Sequence, residues 1–219
     1  PDHKPNCESI YLVGQDLYVV CQLLDDTQMF LPPRGPGKVY VVDTATDRVR
    51  ATLTLGHDNP FSLLEQVPAG APHGGELVVG TAKFDDGSGA GCVERIVPGS
   101  VPRAGGCLID NADLGGYASR IAFQADAGGA LGFFAVPTMF PSADLRALDM
   151  PSGMMRPGAL NPSTEIVLDV VVCPGDQIVV ADPTIGANGL RVYQGSTETT
   201  TAALPIGLPP ASTHGLVCY

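Results

Sequence analysis

With 219 residues the chain has the length of one all-β domain, and a hydrophobic fraction of 44% is ample for a core, which excludes intrinsic disorder. Twelve Lys and Arg stand against 23 Asp and Glu, a formal net charge of −11. That balance argues against nucleic acid and anionic membrane surfaces as partners, because both need clustered basic residues, and the acidity reads as a solubility device.

The chain opens at Pro1 without Met, basic flank or apolar h-region, so a preceding piece is expected to have been removed or left out. Ser9 to Val13 reads as a first strand, Gly14-Gln15 as a turn, and Leu17 to Val20 as a second strand. The connection DDTQMFLPPRGP, Asp25 to Pro36, carries Met29, Phe30 and Leu31 on a proline-rich frame. Exposed there, these three would contact a protein partner; the other reading folds the loop back onto its own strands. Phe61 to Val67, Gly74 to Gly80 and Gly91 to Glu94 spell a second set of strands. Arg120 to Ala125, Gly129 to Ala135 and Ala143 to Arg146 spell a third, and Ile166 to Val172, Gly175 to Ala181 and Gly189 to Val192 a fourth. Helix signal is weak: the best stretch, Asp144 to Asp149, is short and stops at Pro151. No apolar run is long enough to span a membrane, since the longest, around Ile166 to Cys173, contains Asp169.

The sharpest segment is Gly37 to Gly56, GKVYVVDTATDRVRATLTLG. Val39, Val41 and Asp43 alternate with Tyr40 and Val42; after Thr44-Ala45-Thr46-Asp47, Val49, Ala51, Leu53 and Leu55 alternate with Arg50, Thr52 and Thr54, and Gly56 ends the run. This is a hairpin by its period of two. It also resembles the outer half of a blade in the YVTN-type β-propellers, which read as a strand, V-D-T-x-T, a second strand and Gly. The resemblance implies an all-β propeller of four-stranded antiparallel blades. The repeats recur at roughly 45 to 60 residues, the spacing of such blades with loop insertions. Four blades are expected, 7–56, 57–112, 113–162 and 163–210, and His214 to Tyr219 reads as the inner strand of a fifth. A leftover strand leaves open edges, so the chain is expected to be part of a larger propeller or to be completed by a partner chain or further copies.

Six Cys are present. Cys7 and Cys21 lie symmetrically about Gly14-Gln15, and Cys92 and Cys107 about Gly99-Ser100, so each pair is expected opposite one another across a hairpin. Cys173 and Cys218 remain, about one repeat apart. Three disulfides imply an oxidising, extracytoplasmic compartment: periplasm, cell surface or medium. Free buried thiols in a cytosolic protein are the other possibility. No C-x-x-C suggests zinc, and among His3, His57, His73 and His214 only His214 lies near a Cys in sequence.

Candidate sites are few. Asp85-Asp86-Gly87-Ser88-Gly89 has the oxygen-rich composition of a Ca²⁺ loop, with Asp85 and Asp86 as ligands, but lacks EF-hand spacing, and Asp25-Asp26 and Asp110 to Asp113 are similar acidic turns. Met139, Met150, Met154 and Met155 suit a soft metal or simply a core. His57 and His73 read as solvated turn residues. No catalytic residue and no organic cofactor are expected, since G-x-S-x-G and glycine-rich phosphate loops are missing. The function expected is a non-catalytic extracytoplasmic propeller for protein–protein interaction or assembly at the cell envelope, as the resemblance to surface-layer and envelope propellers implies. The alternative is a lyase- or lactonase-like propeller enzyme gathering Glu8, Glu65, Arg120, Glu165, Asp169 and His214 around a metal in a central channel. An electron-transfer or metal-storage role is a third, without a haem motif such as C-x-x-C-H to support it.

Overall fold

The structure is a computed structural model that describes residues 6–25, 27–28, 31–84, 89–126, 129–138, 142–161, 167, 169–184, 186, 188–207, 216 and 218. The described residues form four four-stranded antiparallel sheets, each built from strands consecutive in sequence, and a single turn of helix, α1 (Asn111–Leu114). The first sheet holds β1 (Asn6–Val13), β2 (Asp16–Gln22), β3 (Pro36–Asp43) and β4 (Arg48–Asp58). The second holds β5 (Glu65–Gln66), β6 (Leu77–Gly80), β7 (Cys92–Val97) and β8 (Arg103–Asp110). The third is β9 (Arg120–Asp126), β10 (Gly129–Pro137), β11 (Ala143–Asp149) and β12 (Met154–Met155). The fourth is β13 (Asp169–Cys173), β14 (Gln177–Asp182), β15 (Gly189–Gln194) and β16 (Thr197–Glu198). Each sheet is thus blade-like. By internal contacts the chain divides into two compact units, residues 1–67 with 75–113, and residues 68–74 with 114–219.

In the first unit the alternation of β2, β3 and β4 points Tyr18, Val20, Val39, Val41, Leu53 and Leu55 inward, where they meet Leu64 and, on the second sheet, Leu77, Val79 and Ile96. Each such side chain withdrawn from water contributes about 1.5–3 kcal/mol, and this shared core holds the two sheets face to face. In the second unit Leu131, Phe133 and Ala135 of β10 and Leu145 and Ala147 of β11 pack against Val170, Ile178, Val180 and Tyr193 of the fourth sheet. β10 is buried along nearly its whole length, which explains its continuous run of small and apolar residues.

Three local expectations are corrected. Gly56 does not end its strand: β4 continues to Asp58, which pairs with Pro36, because Glu94 accepts the Gly56 amide and holds the chain extended. Val49 does not join the buried series. The register shifts between Val41, which faces Ala51, and Val42, which faces Val49, so Arg50 is an extra residue and Val49 turns outward. The stretch from Phe61 to Val67 pairs as strand only at Glu65 and Gln66. Upstream of them, Ser62 Oγ accepts the Gly80 amide and Ser9 Oγ accepts the Leu64 amide, so side chains replace the ladder. Of the segment read as a fifth inner strand, Leu216 and Cys218 are described and neither lies in a strand; the Leu216 amide donates to Asp169 Oδ2 at 3.3 Å.

Candidate functional site

Cys7 is joined to Cys21, Cys92 to Cys107, and Cys173 to Cys218. Cys7 and Cys21 are direct partners in the β1–β2 ladder. Cys92 and Cys107 are not, contrary to the expectation from symmetry: Cys92 faces Asp110, and Cys107 faces Glu94. The turn already sets them out of step, and two bulges then move the register. From the turn, Val97 pairs with Arg103 and Ile96 with Ala104, and an unbroken ladder would put Cys107 opposite Val93, on the wrong face. Gly105 is an extra residue that shifts the register by one and sets Cys107 opposite Glu94. Since residues two apart share a face, Glu94, Cys92 and Cys107 then point the same way.

His57, near the end of β4, reaches this group from the first sheet of the same unit. Its Nδ1 lies 3.3 Å from Glu94 Oε2, 3.5 Å from Cys92 Sγ and 4.0 Å from Cys107 Sγ. Glu94 is buried and accepts hydrogen bonds from the Gly56 amide and, at 3.2 Å, from the His57 amide. A side chain at residue 56 would stand 3.3 Å from Glu94 Oε1, so glycine gives the carboxylate its approach. Cys92 is fully buried, whereas Cys107 and His57 are half-buried, leaving the group open on one side. A carboxylate, an imidazole and two sulfurs converge here from three strands. Among the described residues, His57, Cys92 and Cys107 are the group of possible metal ligands that the fold brings together. Sequence reasoning missed it because Glu94 and both Cys lie 35 to 50 residues from His57. No signal in the sequence pointed to His57, because the strand pattern read as ending at Gly56.

The loop after β2 is closed by hydrogen bonds between Asp25 N and Pro32 O (2.8 Å) and between Arg34 N and Leu23 O (2.6 Å), and its stems pair at Leu24 and Pro33. Asp25 is its clasp. Its carboxylate accepts from Thr27 Oγ1 (2.6 Å), Gln28 Nε2 (2.6 Å) and Arg34 Nη2 (2.5 Å), and the Thr27 bond above all, with Gln28 and Arg34, holds the carboxyl well below the usual range. Leu31 lies on this loop with positive φ and its side chain exposed, while Met29 and Phe30 lie outside the described residues. The bulge residue Arg50 grips Asp16 through Nε (2.6 Å) and Nη2 (2.5 Å) and also donates to Gly99 O (2.8 Å), which lowers the Asp16 pKa and ties the first sheet to the β7–β8 turn.

Asp85 and Asp86 also lie outside the described residues, as do Asp26, His3, Met139, Glu165 and His214. Asp110 ends β8 and Asn111 opens α1, where Asn111 Nδ2 donates to Thr81 O (3.0 Å) and Gly89 O (2.8 Å). Met150 is buried and Met154 is exposed. Glu8 is exposed, Glu65 is half-buried, and Arg120 Nε stands 3.6 Å from Asp169 Oδ1 in a buried pair. The second unit also holds an open recess lined by Asn188, Arg191 and Thr201. Its guanidinium is already committed to Asp182 (2.7 Å) and Glu198 (3.0 Å).

No family model matches the chain, and no curated protein does. Among solved structures it is similar to the uncomplexed acylaminoacyl peptidase of Pyrococcus horikoshii, with 16% sequence identity and a TM-score of 0.49 over 91% of this chain and 32% of that one. The chain therefore spans about a third of that protein's length.

Proposed function

We propose that this chain is a non-catalytic, extracytoplasmic β-propeller module, of the YVTN-like kind, that serves protein–protein interaction or assembly at the cell envelope. The observation that carries this reading is the margin of the first sheet. β1 pairs with β2 on one side only among the described strands, and along it Ile10 and Leu12 are 64% and 57% exposed. A strand margin with no partner among the described strands offers backbone donors and acceptors from Ile10 to Val13, and the apolar side chains there give a partner strand something to bury. The three disulfides support the extracytoplasmic part, because such bonds persist in oxidising compartments. The exposed Leu31 supports a second contact on the loop that also carries Met29 and Phe30.

The test is capture of partners, or of further copies, by the protein with Ile10→Ser and Leu12→Ser together. Capture from an envelope fraction should fall severalfold with an unchanged far-ultraviolet spectrum. Undiminished capture refutes the edge as the contact. Metal analysis of the protein isolated with all three disulfides intact separates this reading from the lyase- or lactonase-like alternative, which requires a stoichiometric ion.

A further inference from the structure

We propose that the Cys92–Cys107 pair is one redox state of a metal site, and that on reduction Cys92, Cys107 and His57 bind a single borderline divalent ion of the zinc class, with solvent on the open side completing a tetrahedron. The distances carry the assignment. Metal–ligand bonds of about 2.05 Å to nitrogen and 2.3 Å to sulfur make the nitrogen–sulfur edge of a tetrahedron about 3.5 Å. His57 Nδ1 stands 3.5 Å from Cys92 Sγ, 4.0 Å from Cys107 Sγ and 3.3 Å from Glu94 Oε2. The two nitrogen–sulfur edges of the polyhedron are therefore in place to within half an ångström, and Glu94 stands beside His57 as a neighbour rather than a ligand. The sulfur–sulfur edge, about 3.8 Å in a tetrahedral site, opens when the disulfide is cleaved.

The frame does not depend on that bond. Cys92 is held by its amide to Thr81 Oγ1 (3.0 Å) and by its carbonyl, which accepts from Thr81 N (2.9 Å). Cys107 is held by the β7–β8 ladder, and Glu94 by the Gly56 and His57 amides. Two sulfurs and an imidazole suit zinc-like ions, whereas Ca²⁺ and Mg²⁺ require shells of oxygen. The conversion balances. A dithiol reductant gives two electrons and two protons to the sulfur–sulfur bond and leaves as its own cyclic disulfide. The ion then displaces both thiol protons, and any proton on Nδ1, to solvent. Disulfide and metal are mutually exclusive, so the pair works as a redox-gated metal site.

The probe is Co²⁺ alone, titrated into the whole protein after reduction with a phosphine under inert gas. One equivalent should produce thiolate-to-cobalt charge transfer in the near ultraviolet and strong tetrahedral d–d bands in the visible, both erased by Zn²⁺. The oxidised protein should give neither. Cys92→Ala with Cys107→Ala should abolish the bands, and His57→Ala should weaken binding by about tenfold or more. In the wild-type chain, bound Zn²⁺ should slow alkylation of the half-buried Cys107, as located by peptide mass, relative to the reduced protein without metal. Bands that persist in the double alanine variant, alkylation of Cys107 unchanged by Zn²⁺, a folded reduced protein without bands, or loss of the fold on reduction would each overturn the assignment.

Discussion

Replacing Gly91 by alanine tests how tightly the strand bearing Cys92 is seated. Gly91 has φ of 146°, a conformation that L side chains rarely adopt. An alanine Cβ there would lie 2.4 Å from the Thr81 carbonyl oxygen, 2.9 Å from its carbon and 3.0 Å from Asn111 Nδ2. Ordinary contact begins at 3.4 Å, so the Thr81 backbone has to withdraw by about 1 Å. That carbonyl accepts from Asn111 Nδ2 at 3.0 Å inside the protein. Backbone strain costs about 1–3 kcal/mol, and loss of one buried hydrogen bond costs about 1–3 kcal/mol more. The sum is roughly 2–6 kcal/mol, with a centre near 4, equivalent to a fall in Tm of about 8–16 °C for a chain of this size. Gly99→Ala is the internal control: φ there is 139°, but no atom lies within 4 Å of the added carbon, so only strain remains. Urea unfolding of both variants with all disulfides intact should show Gly91→Ala less stable than Gly99→Ala by about 1–3 kcal/mol. Equal stabilities would refute the crowding argument.

Asn161 substitutes for a neighbouring strand: its Oδ1 accepts the Leu145 amide at 2.6 Å and its Nδ2 donates to Ala143 O at 3.1 Å. Asn161→Ala strands two buried backbone groups and should cost roughly 2–6 kcal/mol by the same urea assay; a change under about 1 kcal/mol would show that the groups find other partners. Removing Cys173–Cys218 with paired alanines should destabilise by about 4 kcal/mol and removing Cys7–Cys21 by about 3 kcal/mol, because the spans closed are 45 and 14 residues; the reverse order would exclude chain entropy as the main term. Asp25 has a depressed folded-state pKa, so its contribution is fully present above the unfolded value of about 3.9 and disappears as pH falls through the folded one. The stability gap between wild type and Asp25→Asn should therefore be constant near neutrality and shrink as acid unfolding is followed below about pH 4; a gap independent of pH would show that the carboxylate charge is irrelevant.

Strand positions were legible because burial imposes a period of two that survives without knowledge of the partner. Tyr18, Val20, Val39 and Val41 show it, and all four are core residues. What the pattern does not encode is register. One extra residue, Gly105, decides which face Cys107 occupies, and another, Arg50, turns Val49 out to solvent. Neither has a signature in a single sequence, since glycine and arginine occur in regular strands as well. For the same reason His57 read as a turn residue. Its partners come from β7 and β8, and only the packing of two sheets brings them within reach. The short pairing of β5 was hidden differently: Ser9 and Ser62 look like ordinary polar positions until their hydroxyls are seen to receive the backbone amides.

The Cys173–Cys218 bond also fixes how the molecule bears load. A pull entering at Cys218 passes through the sulfurs directly into β13. The 45-residue span between the two cysteines, with β14, β15 and β16 inside it, becomes a slack parallel branch that carries no tension. Those strands would stay zipped while β13 took the strain, and extension through them would begin only after a covalent bond had broken. For a module anchored or tugged from that side, the crosslink works as a mechanical bypass, and reduction would turn a stiff tether into one that can pay out chain.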